Sequence, residues 1–283
     1  MTPRRRTWSR LGTTTSVVLL LAAGLAACSG GSDGGSGEPA VQPPSKASSS
    51  SLDSIEAARP QPGDCHSMTL SQVTATSADD TSTDCLHRPT TITVAVGSLE
   101  VKGREVAPGS RAAQDLMRRT CEPRAAAWLG ADSLRLSRLT AVWFVPSPEQ
   151  VAAGARWFRC DVVGFDRGDH LLPLPAPHQL RGSLEGAGAR RYALCGTARP
   201  GDKRFQRVIC SLTHSWRAIA TIDLPGGKAY PGPAAVRDKG DDACSAKARS
   251  ASGNALTYDY GWEWPTAQQW AAGQHYGFCW APA

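Results

Sequence analysis

The stretch VWFVPSPEQVAAGARWFRC at Val142–Cys160 returns later in the chain as GWEWPTAQQWAAGQHYGFC at Gly261–Cys279. The two segments align without a gap, and a tryptophan, a proline, a glutamine, an Ala-Ala-Gly triplet and the final cysteine coincide. Three further cysteines precede each segment in the same order. The gapless match of the segments and the shared order of the cysteines predict a duplicated module with four cysteines per copy.

Each copy predicts the same order of elements. Near the start of each copy, branched residues predict a β-strand. A helix that carries the third cysteine follows, and after it come a strand, a short helix and a last strand. The first helix is predicted from the N-cap Ser110 to Gly130 with a break or kink at Pro123, and its counterpart near Asp241–Ser250 is predicted to be shorter. The other predicted elements are strands at Ile92–Val96, Ile219–Leu224, Leu139–Val145 and Tyr258–Trp264, and short helices at Pro148–Ala153 and Thr266–Ala272. This order predicts an α+β fold of two disulfide-braced modules related by a pseudo-twofold axis, each an antiparallel sheet with one main helix.

The N-terminus has the layout of an export signal. Four arginines and no acid occupy the first fifteen residues, and an apolar run too short for a stable membrane span follows at Val17–Ala27. The run ends in Leu25-Ala26-Ala27-Cys28, which resembles the lipobox of bacterial lipoproteins. That resemblance implies cleavage before Cys28 and a diacylglycerol anchor on its thiol; an ordinary signal peptide is the alternative. Export through either the general secretory or the twin-arginine route stays open.

Composition divides the remainder of the chain. Residues 28–61 are rich in Gly, Ser and Pro and are expected to be a disordered linker. The predicted regions are a signal peptide at 1–27, this linker, a first module at 62–168, a connector at 169–193 and a second module at 194–283. We expect the two modules to form one compact domain. Cleavage would remove four arginines and lower the net charge from +6 to +2, so no basic surface for nucleic acid is expected.

The eight cysteines left after Cys28 form an even set, which in an exported chain predicts disulfides. If each module closes its own bridges, three pairings per module remain. We expect the first cysteine of each module to pair with the second and the third with the fourth, which would join each helix to its last strand. The expected pairs are Cys65–Cys85, Cys121–Cys160, Cys195–Cys210 and Cys244–Cys279.

Several of these motifs resemble one known family. Gly63-Asp64-Cys65, Cys210-Ser-Leu-Thr-His214 and Trp270-Ala-Ala-Gly273 with a final Cys279 are similar to the septum-formation-related domain. The resemblance covers nearly all of the chain beyond the linker. It implies an actinobacterial protein attached to the cell membrane, with an envelope role linked to division septa and no established chemistry.

The sequence does not favour catalysis or metal binding. No HExxH motif occurs, no GxSxG motif occurs outside the Gly/Ser-rich linker, and the expected bridges leave no free thiol as a nucleophile. For His87 and His214, hydrogen-bonded loop histidines are favoured over a catalytic or metal-binding role. We therefore expect no enzyme, no metal site and no cofactor.

Alternating aromatic residues offer a candidate binding face. In a strand, side chains two residues apart share one face. An exposed face of this kind could bind sugar rings or a protein, whereas a buried one would belong to the core or to packing between the modules. The face consists of Tyr258, Tyr260, Trp262 and Trp264 on one strand and Tyr276, Phe278 and Trp280 on the last strand.

Two functional hypotheses follow. The first is a non-catalytic lipoprotein on the outer face of the cell membrane, anchored by diacylglycerol on Cys28. It would bind or scaffold envelope proteins, septal proteins or wall glycans. The second is an enzyme acting on wall polymer through acids such as Asp259 and Glu263, which would require two carboxylates facing each other across an open cleft.

Overall fold

In a computed structural model of the protein, residues 59–77, 82–253 and 256–283 are described. The predicted signal peptide, Cys28 and all but the last three residues of the predicted linker lie outside these ranges. Within them, no helix is both long and apolar enough to span a membrane.

The first module is a four-stranded antiparallel sheet with one long helix on one face. The strand order is β1-β2-β6-β5, and a separate two-stranded ribbon, β3-β4, follows β2. Its elements are β1 (Cys65–His66), α1 (Leu70–Val73), β2 (Thr91–Ser98), β3 (Glu100–Val101), β4 (Arg104–Glu105), α2 (Arg111–Leu129), β5 (Leu139–Phe144), α3 (Pro148–Ala152) and β6 (Trp157–Gly164).

The second module is a five-stranded antiparallel sheet in the order β10-β11-β9-β7-β8, again with one long helix. Two short helices of the connector precede it. The elements from the connector onward are α4 (Pro177–Leu180), α5 (Gly186–Tyr192), β7 (Leu194–Gly196), β8 (Arg207–Ile209), β9 (Trp216–Asp223), α6 (Pro233–Ala251), β10 (Gly261–Glu263), α7 (Ala267–Ala271) and β11 (Tyr276–Pro282).

The structure thus confirms a disulfide-braced α+β fold with one antiparallel sheet and one main helix in each module. The four disulfides join the expected pairs: Cys65–Cys85, Cys121–Cys160, Cys195–Cys210 and Cys244–Cys279. In each module the second of these bridges ties the main helix to the last strand, over Cα–Cα distances of 5.1 and 5.2 Å.

Both main helices bury one stripe of residues at four-residue spacing. In α2 the stripe is Ala113, Met117, Cys121, Ala125 and Leu129, and in α6 it is Val236, Gly240, Cys244 and Ala248. Such a stripe faces one direction because four residues advance the helix by slightly more than one turn. The stripe therefore packs each helix against its sheet and places its cysteine beside the last strand.

Two helix predictions need correction. Helix α2 continues through Pro123, because the proline ring lies on the exposed side while the buried stripe continues on the other side. Packing of that stripe outweighs the one lost backbone hydrogen bond. Helix α6 has 19 residues, as α2 has, and is not the short element expected. Pro233 at its first position starts it well before Asp241.

The strand predicted at Tyr258–Trp264 is also shorter than expected. Only Gly261–Glu263 pairs with β11, whereas Tyr258 and Tyr260 lie before the strand and contact α6. The ring of Trp262 lies against Gly240 of α6, where an added Cβ would be 2.0 Å from a ring atom. Gly240 therefore allows the strand and the helix to approach closely.

Candidate functional site

A cleft of about 770 Å³ lies between the modules. One wall comes from α2, from the loop before β5, and from β5 itself, the edge strand of the first sheet. The other wall comes from β8, β9, β11 and the turn after α7. A volume of this size is typical of small-molecule sites, which range over roughly 300–1,000 Å³. We call it the inter-module cleft.

Arginines dominate the charge of the inter-module cleft. Its described lining includes two acids and four arginines: Glu122, Asp132, Arg118, Arg135, Arg138 and Arg207. Neutral polar residues of the lining include Ser137, Thr140, Thr221, Gln269 and Gln274, beside apolar and aromatic residues. The lining therefore presents hydrogen-bonding groups with an excess of positive charge.

Arg138 is held in place by backbone carbonyl groups. Its guanidinium donates hydrogen bonds to the carbonyl oxygens of Phe165, at 3.1 Å, and Gly168. Burial, followed by the nearby charge of Arg207, lowers the pKa of Arg138 to about 10. The carbonyls orient the guanidinium without cancelling its charge, and the nearby charges of Asp169 and Asp166 act against the lowering of its pKa.

Arg207 and Arg135 are each fixed by one acid and one aromatic ring. Arg207 pairs with Glu263 at 2.9 Å and lies over the ring of Phe278. Arg135 pairs with Asp223 at 2.7 Å and lies 4.0 Å from the ring centre of Tyr276. Ring stacking holds a guanidinium in place at little cost in hydration, so both cations are positioned beside the cleft.

Glu122 is the acid most affected by the cleft. Burial raises the pKa of its carboxyl above the usual range, although Arg118 and Arg135 act in the opposite direction. Burial also raises the pKa of the Tyr276 hydroxyl. Both shifts have the same cause: the cleft limits access of water to charged oxygens.

The predicted aromatic binding face is not a single open surface. Phe278 and Trp280 are 5% and 0% exposed and pack with Trp216 and Leu194, beside Leu136 of the first module. Trp262 is 7% exposed and donates from its indole nitrogen to the Arg237 carbonyl of α6. These three residues therefore follow the alternative of core or inter-module packing and not that of an exposed platform, because both sides of the sheet are covered.

The other four aromatic residues are half-buried. Tyr258 forms hydrogen bonds with Ser245 and Arg249 of α6, and Tyr260 donates a hydrogen bond to Asp241 of the same helix. The two tyrosine rings stack on each other beside α6. Trp264 packs with the same cluster. Tyr276 lines the inter-module cleft and is the member of the predicted face that contributes directly to the candidate site.

The first module has a buried polar cluster that the sequence reading did not identify. Asp161 and Arg159 of β6 are 0% and 2% exposed, and their side chains lie 3.3 Å apart. The Asp161 carboxylate accepts hydrogen bonds from the hydroxyls of Thr91 and Thr93, and His66 contacts both Thr93 and Arg159. Burial raises the pKa of Asp161, while the charge of Arg159 acts against this shift. The sequence signal that could have identified this cluster is the presence of two charged residues, Arg159 and Asp161, in an otherwise apolar strand.

The two histidines singled out from the sequence lie apart from the cleft lining. His87 is exposed with Asp84 3.4 Å away, and His214 lies 2.7 Å from the carbonyl oxygen of Leu212. In the described part of the chain, one group of metal-ligating residue types occurs, Cys195, Cys210 and His214. Its two sulfurs form a disulfide and so offer no thiolate to a metal.

A sequence model described as septum formation matches residues 62–279, which is most of the chain. The chain belongs to the septum-formation family. The matched range includes both modules, all four disulfides and the inter-module cleft. Membership suggests a role related to septum formation, and the disulfides indicate a location outside the cytoplasm. No curated protein and no solved structure matches the chain.

Proposed function

We propose that this chain is a non-catalytic lipoprotein, anchored through Cys28 to the outer face of the cell membrane, that binds or scaffolds envelope components during septum formation. The observation that carries the proposal is the inter-module cleft in a member of the septum-formation family. Its walls belong to two modules that are each held by two disulfides, so it offers a pre-organised binding surface.

The groups considered for catalysis support binding better than chemistry. Both carboxylate oxygens of Glu263 are engaged, one by Arg207 at 2.9 Å and the other by the indole of Trp280 at 3.1 Å. Asp259 is exposed and lies 3.5 Å from Arg199. A general acid or base must be free to exchange a proton with substrate, and Glu263 is committed to a structural ion pair.

One acid keeps the enzymatic alternative testable. Glu122 combines a place in the inter-module cleft with a raised pKa, which is a property of many catalytic acids. We expect both the purified protein and its Glu122→Gln variant to show no hydrolysis of wall polymer. Hydrolysis of wall polymer that disappears in this variant would replace the binding proposal with the enzymatic one.

The anchoring and septal parts of the proposal are tested in cells. A fluorescent fusion of the full chain is expected in the membrane fraction and enriched at division sites, whereas Cys28→Ser should be released from the membrane. A matched Ser29→Ala variant should behave like the parent. Retention of the Cys28→Ser chain in the membrane would contradict lipid anchoring, and uniform peripheral fluorescence of the parent would contradict a septal role.

A further inference from the structure

We propose that the inter-module cleft binds an anionic polymer segment through phosphate or carboxylate groups. This inference rests on the proposed binding function and adds the chemical class of the ligand. Guanidinium groups match phosphate and carboxylate geometry because their N–H donors form a planar fork that can bind two oxygens at once.

The first argument is the placement of Arg138 and Arg207. Both are half-buried in the lining, and their mutual repulsion contributes to the lowered pKa of Arg138. Glu263, 2.9 Å from Arg207, opposes this repulsion, and so do the charges of Asp169 and Asp166 near Arg138. An anion between the two arginines would relieve it further and gain two charge-assisted hydrogen bonds.

The second argument is that the other two arginines are available to a ligand. Arg118 pairs with Asp115 at 3.1 Å, and both side chains are about two-fifths exposed. Arg135 pairs with Asp223, whose side chain is 79% exposed. Ion pairs this accessible contribute little free energy, so a multivalent anion can compete for these guanidiniums.

The third argument concerns shape and neutral lining. The hydroxyls of Thr140 and Thr221 and the remaining hydrogen-bonding capacity of the Gln269 and Gln274 amides can bind the hydroxyl or ether oxygens between charged groups. A concave site between two modules suits a flexible chain that enters it. A membrane surface would instead require a convex or flat cationic face, so a polymer is favoured over a lipid bilayer.

The test uses the full mature chain in neutral detergent and isothermal titration calorimetry at low ionic strength. The probes are a glycerol phosphate oligomer, a galacturonate oligomer and a neutral dextran oligomer. We expect binding of one or both anionic oligomers, no binding of dextran, and weaker affinity as salt is added. The two anionic oligomers distinguish phosphate from carboxylate as the recognised group.

Arg138→Ala would remove its hydrogen bonds to backbone carbonyls and could disturb folding, so the diagnostic variants add an acid instead. Thr140→Glu and Thr221→Glu place a carboxylate on opposite walls of the cleft. Each should weaken binding of the anionic oligomer by about tenfold or more, which corresponds to about 1.4 kcal/mol. Thr213→Glu, at an exposed position outside the cleft lining, is the matched control and should leave affinity nearly unchanged.

Three results would overturn the inference: no binding of either anionic oligomer, equal weakening by Thr140→Glu and Thr213→Glu, or binding only to vesicles that contain phosphatidylglycerol. Septal localisation that depends on Cys28 would in each case leave the proposed function standing. Loss of septal localisation with intact oligomer binding would instead refute the septal role and keep the ligand class.

Discussion

The two modules share the helix-facing side of their sheets and differ on the opposite side. At matching places of the repeat, β6 carries Arg159 and Asp161 where β11 carries Phe278 and Trp280. The first pair forms a buried ionic cluster, and the second packs as aromatic core beside the inter-module cleft. The same arrangement of sheet and helix thus accommodates an ionic pair in one module and aromatic rings in the other, provided that these side chains are fully buried.

The helix-facing sides agree in detail. Trp143 of β5 donates to Gln114, and Trp262 of β10 donates to the carbonyl of Arg237. Gln114 and Arg237 each lie seven residues before the cysteine of the main helix. The short helices α3 and α7 also both begin with a capping box. These matches indicate that the helix, its cysteine and the strand tryptophan form one unit of packing.

The largest expected effect tests whether the two helix-to-strand bridges are equivalent. Cys121→Ala with Cys160→Ala opens a loop with a sequence separation of 39, and Cys244→Ala with Cys279→Ala opens one of 35. Loop entropy predicts a loss of about 4 kcal/mol for each double variant. Urea unfolding followed by tryptophan fluorescence measures both. A much larger loss in one module would show that the modules differ in stability.

The next effect concerns the buried ionic cluster of the first module. Arg159→Met leaves Asp161 buried without its cation, and we expect a loss of at least about 3 kcal/mol at neutral pH. Because burial favours the protonated form of Asp161, the variant should regain stability as the pH falls and lose it as the pH rises. Adding Asp161→Leu should recover part of the loss in the same urea assay. Equal stability of the single and double variants would contradict this account.

A smaller effect tests whether a small residue on the helix is needed to make room for a large side chain on the strand. Gly240 of α6 and Met117 of α2 both lie four residues before the helix cysteine. An added methyl in Gly240→Ala would meet the ring of Trp262, so we expect a loss of about 2 kcal/mol despite the better helix propensity of alanine. Lys247→Ala, on the exposed side of the same helix, is the control. An increase in melting temperature for Gly240→Ala would show that the ring can move away.

The smallest effect concerns Glu122, whose carboxylate competes for the arginines of the cleft. Glu122→Gln should tighten binding of a glycerol phosphate oligomer several-fold at neutral pH, because one negative charge is removed. In the parent, lowering the pH should tighten binding in the same way, because burial raises the pKa of Glu122 and its protonation removes the same negative charge. Calorimetry at pH 5 and pH 7 measures both. An identical pH dependence in Glu122→Gln would assign the effect to another group.

Local signals in the sequence predicted the elements they govern directly. Ser110 caps the start of α2, and Gly130 ends it with a positive φ, as the N-cap and C-cap patterns indicate. The repeat also led to the four disulfide pairs found. In contrast, the close packing of Trp262 on Gly240 of α6 is a tertiary contact that local propensity does not contain.

The candidate site was less accessible to sequence reasoning. Arg138 and Arg207 come from different modules, and no local pattern brings them together. The alternating aromatic residues predicted a shared face, but strand pairing ended at Gly261 and left Tyr258 and Tyr260 to pack on α6. The alternation of side chains between the two faces of a strand predicted their orientation correctly only for residues that lie within the strand.

Each disulfide joins two cysteines that are neighbours in the order of cysteines along the chain. A chain that crosses a membrane from its N-terminus exposes its cysteines in that same order. In a chain threaded through the general secretory route with Cys28 already lipidated, an oxidase that links each newly emerged thiol to the free one before it would therefore produce the native set without any isomerase. The bridges of the first module can close before the second module has left the translocation channel, so the two halves need not compete for partners during oxidation.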